Sequence, residues 1–157
     1  MLLACAAFLQ AQTVEVSPSE IAAIRGGDRE AVKEVLRRSG VDLNDPQAVR
    51  QAVGSLVESA SAGVDAAGAA QALEAISSTV VGGAVEAAAE TGGDVGSAAE
   101  AASAGAAESS VAVALSVGAD PGEAAEAASR GGTRGASDSA GSADVNGDGS
   151  VDSRDRD

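Results

Sequence analysis

The 157-residue chain carries 24 acidic and 10 basic side chains, no histidine and one aromatic, Phe8. A net charge of −14 argues against nucleic acid or an anionic bilayer as partner, because both need a basic footprint. One cysteine excludes a disulfide framework, and the 45% hydrophobic fraction is mostly alanine, so the large side chains that make a core are few.

Residues 1–12 form a signal-like apolar segment. The run from Met1 to Leu9, followed by Gln10-Ala11-Gln12, has the apolar core and small-residue end of a secretory leader. It predicts export, to the medium or the cell surface. Leu2-Leu3-Ala4-Cys5 also resembles a bacterial lipobox, which would make Cys5 a lipid-anchor site. The alternative is a buried helix start in a cytosolic protein. No other segment reads as apolar enough to span a membrane.

Residues 13–61 predict a small helical region. Ser17-Pro18-Ser19-Glu20 combines an N-cap serine, a proline at the first helical position and a glutamate placed for a capping box. Gly26-Gly27 would end that helix and Asp28 would cap the next, with Val32, Val35 and Leu36 on one face. Arg37 and Arg38 fall in its last turn, at the carbonyl end of the dipole, before Gly40. Asp45-Pro46 opens a third helix carrying Val49, Val53, Leu56 and Val57 at helical spacing. The large aliphatics cluster here, so a tight core is expected in this half.

Residues 62–130 read as an Ala/Gly-rich acidic repeat segment. Ala98-Ala99-Glu100-Ala101-Ala102-Ser103 recurs unchanged at residues 124–129, a period of 26, with a looser copy at residues 72–77. Asp94 and Asp120 fall in equivalent Gly-x-Asp turns, each placed to cap a following helix. The period predicts stacked helix pairs. Alanine faces bury little area and interior glycines cost about 1 kcal/mol each, so loose packing is expected. The composition equally fits a segment disordered until bound or assembled. From residue 51 to 129 there is no Lys or Arg, against eleven acids.

Residues 131–143 have the composition of a Gly/Ser linker, expected as flexible coil. The fold class expected for the whole chain is mostly α: short N-terminal helices, then Ala/Gly-rich helical repeats and a flexible C-terminal tail.

Residues 144–157 hold the one stretch with recognisable chemistry. Taken as a twelve-residue loop, 144–155 puts Asp144, Asn146, Asp148, Asp152 and Asp155 at positions 1, 3, 5, 9 and 12, with Gly149 at position 6 and Val151 at position 8. A calcium ion wants six to eight oxygens at about 2.3–2.6 Å, and a short segment supplies them by wrapping around the ion. Ser150 would contribute its carbonyl. The loop resembles an EF-hand loop, and most of all the dockerin variant. That resemblance implies a Ca²⁺ site formed by Asp144, Asn146, Asp148, Ser150, Asp152 and Asp155. It is a single, truncated loop: Arg156 stands where an apolar residue usually opens the exiting helix, and there is no second loop. Affinity should be weak, near the ~10⁻⁴–10⁻³ M of extracellular modules.

Enzymatic function is not expected. Histidine is absent, Cys5 lies in the signal-like segment, and neither a nucleophile elbow nor a phosphate-cradling glycine loop occurs. The repeat acids are expected on solvated helix faces, where nothing shifts their pKa. The sequence therefore reads as an exported, non-catalytic structural or surface-interaction protein with a weak calcium loop. The alternative is a truncated dockerin-like module that docks the chain onto a scaffold partner.

Overall fold

Each of the first three helices starts where a side chain can satisfy its free backbone N–H groups. In the computed structural model, which describes residues 14–143, α1 (Pro18–Arg25) opens with a capping box. The Ser17 hydroxyl accepts from the Glu20 amide at 3.3 Å, and the Ser17 amide donates to Glu20 Oε2 at 2.8 Å. Asp28 caps α2 (Arg29–Arg38), and Asp45 caps α3 (Pro46–Ala60), with Pro46 in its first turn. Arg25 donates to the carbonyl oxygens of Ala60, at 2.6 Å, and Ala62, a cation at the negative end of α3.

The remaining three helices are equal in length. Helices α4 (Ala69–Thr91), α5 (Val95–Val117) and α6 (Pro121–Ala143) each have 23 residues, and their starts are 26 residues apart. Each 26-residue unit is therefore one long helix and a three-residue connection, not the helix pair expected from the period. The connections are Gly92-Gly93-Asp94 and Gly118-Ala119-Asp120. Gly92 and Gly118 take φ of 76° and 74°, the left-handed conformation that ends a helix. The next two residues close the turn and start the following helix. The amides of Gly93 and Ala119 reach back to Ala88 and Ala114 carbonyls, both at 2.8 Å. Asp94 then accepts from the Ser97 amide at 2.7 Å, and Asp120 from the Gly122 and Glu123 amides at 2.7 and 3.0 Å.

Among the described residues there are six helices and no strand. Helices two apart in the chain run parallel. Arg29 and Lys33 of α2 advance along α4 from Glu86 to Glu90; α3 and α5 match Arg50 with Gly105 and Gly54 with Ser109; α4 and α6 match Glu74 with Gly131 and Ser78 with Gly135. So α4 packs lengthwise against both α2 and α6, and α3 against α5. Helix α4 touches all the others.

The core is continuous across the expected domain boundary. Val32, Val35, Leu36, Val53, Leu56 and Val57 join Leu73, Val80, Val81 and Val85 of α4 in one cluster, all 0–1% exposed. The expectation of a tight core confined to the first half is therefore corrected. The few large aliphatics of α4 recur at helical spacing and face the earlier helices. By length and composition α4 also reaches what a membrane span needs, contrary to the reading of the sequence, but two thirds of that stretch is buried by its neighbours (67%).

A second correction concerns residues 131–143, expected as flexible linker and found as the second half of α6. The reason is backbone proximity. A Cβ at Gly131 would overlap the Glu74 carbonyl oxygen, and one at Gly135 the Ser78 carbonyl oxygen. These glycines are spaced four apart so that α6 can lie directly against the backbone of α4, the small-residue packing seen where helices come closest. On α5, Gly105 fits the Arg50 carbonyl of α3 in the same way, and a Cβ at Gly54 would lie 2.7 Å from Ser109 Oγ.

Two alanine substitutions on α5 separate this packing role from helix propensity. Gly105→Ala must push α3 and α5 apart and should destabilise the protein by about 1–3 kcal/mol, as overpacking does. Gly96→Ala, whose Cβ would meet only Asp94 Oδ1 at 3.4 Å, should be neutral or stabilising by up to about 1 kcal/mol. Denaturant unfolding of both variants measures the difference. Equal effects would mean that Gly105 is not a packing glycine.

Candidate functional site

The six residues expected to ligate calcium, Asp144, Asn146, Asp148, Ser150, Asp152 and Asp155, lie outside the described residues, and so does Cys5. The last described element, α6, reaches Ala143, the residue before loop position 1. Among the described residues no group of three His, Cys, Asp or Glu side chains is arranged to hold a metal ion.

The most developed polar cluster joins α2, α4 and α6. Arg29 Nη1 donates to Glu86 Oε1 at 3.0 Å and to Ser139 Oγ at 3.1 Å, while Nη2 reaches Asp138 Oδ2 at 3.3 Å. Ser139 is fully buried, its oxygen 3.1 Å from the Gly82 carbonyl and 3.0 Å from Glu86 Oε1. Beside it, Lys33 Nζ lies 2.6 Å from Glu90 Oε1, 4.0 Å from Glu86 Oε2 and in contact with Glu30. Burial works against the Lys33 charge, but hydrogen bonds to Glu30 and Glu90 outweigh it and hold the ammonium above its usual range. Arg29 and Glu86 are 26% and 22% exposed, so the cluster is only half solvated. With its hydroxyl enclosed and bonded on several sides, Ser139 is a brace between helices and offers no approach to a substrate.

Sequence reasoning missed this cluster. The expectation that the repeat acids stand on solvated faces is corrected for Glu74 and Glu86, each about three-quarters covered. Glu74 pairs with Arg130 and Arg134 of α6, both at 3.2 Å, and Glu108 pairs with Arg50 of α3. The Arg50 guanidinium holds the Glu108 carboxyl below the usual carboxylate range. A signal was available in the four-residue spacing of Arg29 and Lys33 on one helix and of Glu86 and Glu90 on another. Nothing in the sequence said that these pairs would meet.

An open cleft of about 510 Å³ is lined by Glu15, Val16, Ser17, Glu20 and Arg38. Its polar groups are already engaged with one another. Arg38 donates to both Glu20 carboxylate oxygens and to the Glu15 carbonyl, and Glu20 also accepts from Ser17. The Arg38 hydrogen bond, followed by those from Ser17, pulls the Glu20 carboxyl from 4.5 to about 2. The cleft thus holds an intramolecular ion pair at the joint between α1 and α2.

The chain matches no protein-family model, no curated protein and no solved structure.

The depressed Glu20 carboxyl sets a pH dependence. Its contribution to stability is complete above 4.5 and is lost as the pH falls through about 2. Glu20→Gln should therefore be less stable than the wild type at pH 6. The gap should narrow steadily below pH 4.5 and close near pH 2, as read by thermal melts across that range. A gap independent of pH would show that Glu20 acts by packing alone.

Proposed function

We propose that this is an exported, non-catalytic structural or surface-interaction protein whose C-terminal residues 144–155 bind calcium weakly. The non-catalytic part of this reading rests on the sequence, which lacks histidine and a recognisable nucleophile motif. The calcium part rests on the acidic loop pattern, and one structural observation carries it further. Helix α6 continues to Ala143, so the segment before Asp144 is a helix packed on α4 and not a free coil.

That placement supports cation binding in two ways. A helix leading into position 1 is the entering half of a helix–loop arrangement, as the EF-hand resemblance requires. The carbonyl end of a helix also carries a partial negative charge and favours a cation by about 0.3–1 kcal/mol. Loop ligands that start from an anchored helix have less freedom to lose when they close on an ion. Magnesium should compete poorly, since it demands a tight octahedron and gives up its waters reluctantly.

Calcium titration of the ¹⁵N-labelled chain tests this reading. The Gly149 amide should shift most, with half-saturation at about 10⁻⁴–10⁻³ M. Asp144→Ala should abolish the shift. No movement of Gly149 at about 10 mM calcium, ten times the weak end of that range, would remove the calcium site.

A further inference from the structure

Helix α6 carries its charges in a self-complementary order. Glu123, Glu126, Arg130 and Arg134 follow one another at steps of three, four and four residues, so they share one side of the helix. That side faces outward: all four residues are exposed, and the side chains of Glu126, Arg130 and Arg134 are 80%, 56% and 60% open to solvent. Arg130 and Arg134 are the only bases between residues 51 and 143, and within the fold they share one carboxylate, Glu74, each at 3.2 Å. A guanidinium has five N–H donors, so both arginines keep donors for a further acid. Glu126 reaches only Arg130 of its own helix, at 3.9 Å, and Glu123 enters no ion pair among the described residues.

The order is acid, acid, base, base. Turned end for end against a copy of itself, it would set every acid against a base. With a two-fold axis beside Ala128 and Ser129, Glu126 of one copy meets Arg130 of the other, Glu123 meets Arg134, and the symmetry repeats both pairs. A slip of one turn either way would bring Arg130 against Arg130 or Glu126 against Glu126. The neighbouring helix extends this face. Ser103 of α5 lies beside Gly132 of α6, and α5 carries Leu115, the one large hydrophobic left exposed (65%) among the described residues. Half-buried Val111, Ala107 and Ala104 fall on the same side of α5. We propose that a second copy of this chain covers the outer face of the α5–α6 hairpin, with the two α6 helices antiparallel about a two-fold axis. A net charge of −14 opposes self-association in general, so contact is favoured where acids and bases alternate. Exposed ion pairs contribute little each, so the dimer is weak, and its charges set register more than strength. This inference does not rest on the calcium reading.

Sedimentation equilibrium on the full chain tests it. The wild type should show dimer at about 1 mM protein, the concentration scale of weak complexes. Glu123→Arg with Glu126→Arg would set bases against bases and should weaken association by about tenfold or more. Neither acid pairs with another helix of its own chain, so this variant should keep the fold. Arg130→Glu with Arg134→Glu should weaken association equally. Mixing the two double variants should restore the dimer as a heterodimer, because every acid then meets a base. If the second variant misfolds for want of its Glu74 pairs, the first alone decides. A wild type that stays monomeric at that concentration would overturn the proposal, as would a dimer indifferent to the charge reversals.

Discussion

Backbone-to-backbone contact at glycine is the constraint on which the rest of this fold depends. With a single aromatic and mostly alanine for its apolar content, the chain cannot fill wide spaces between helices. Dispersion falls off steeply with distance, so small side chains stabilise only when the helices they belong to are close. Gly131 and Gly135 let α6 lie on α4, and Gly54 and Gly105 do the same for α3 and α5. A protein of leucines and phenylalanines reaches interior density by interdigitating large side chains. This one reaches it by removing them.

Close helices then need their charges arranged in advance. The stretch from residue 51 to 129 has no basic residue, and as an independent unit it would repel itself. In the fold its carboxylates are met from outside. Arg29 and Lys33 of α2 take Glu86 and Glu90; Arg50 of α3 takes Glu108; Arg130 and Arg134 of α6 take Glu74. Most of these pairs are exposed enough that each contributes little energy. Their value is in register: a helix slid by one turn would leave both the glycine contacts and the ion pairs unmatched.

Helix ends were the legible part of this chain. The capping box at Ser17 and Glu20, the aspartate caps at 28, 45, 94 and 120, and the Gly-x-Asp turns all act within a few residues and can be read locally. The 26-residue spacing was legible too, but not its content, because an Ala/Gly run has no apolar stripe strong enough to show whether one helix or two fills it. Glycine was the misleading residue. Gly131, Gly132 and Gly135 have the composition of a linker, and only the partner backbone of α4 makes them helical. The four-residue step from Gly131 to Gly135 to Ser139 was the available clue. The Arg29–Glu86–Ser139 cluster was illegible for another reason: its members are 53 to 110 residues apart in the chain. The calcium-loop pattern at residues 144–155 was read from spacing alone and lies outside the described residues; what the structure shows is that α6 reaches Ala143.

The parallel stacking of alternate helices also affects the order in which the molecule is completed. Chain synthesis delivers α4 long before α6, yet the backbone of α4 at Glu74 and Ser78 receives Gly131 and Gly135 of α6, and the Gly82 carbonyl receives Ser139. Each stacked pair spans more than fifty residues, so loop-closure entropy must be met before those contacts form. The central helix of the bundle therefore emerges with one flank bare and keeps it so until α6 follows. Among the described helices, the middle is finished last.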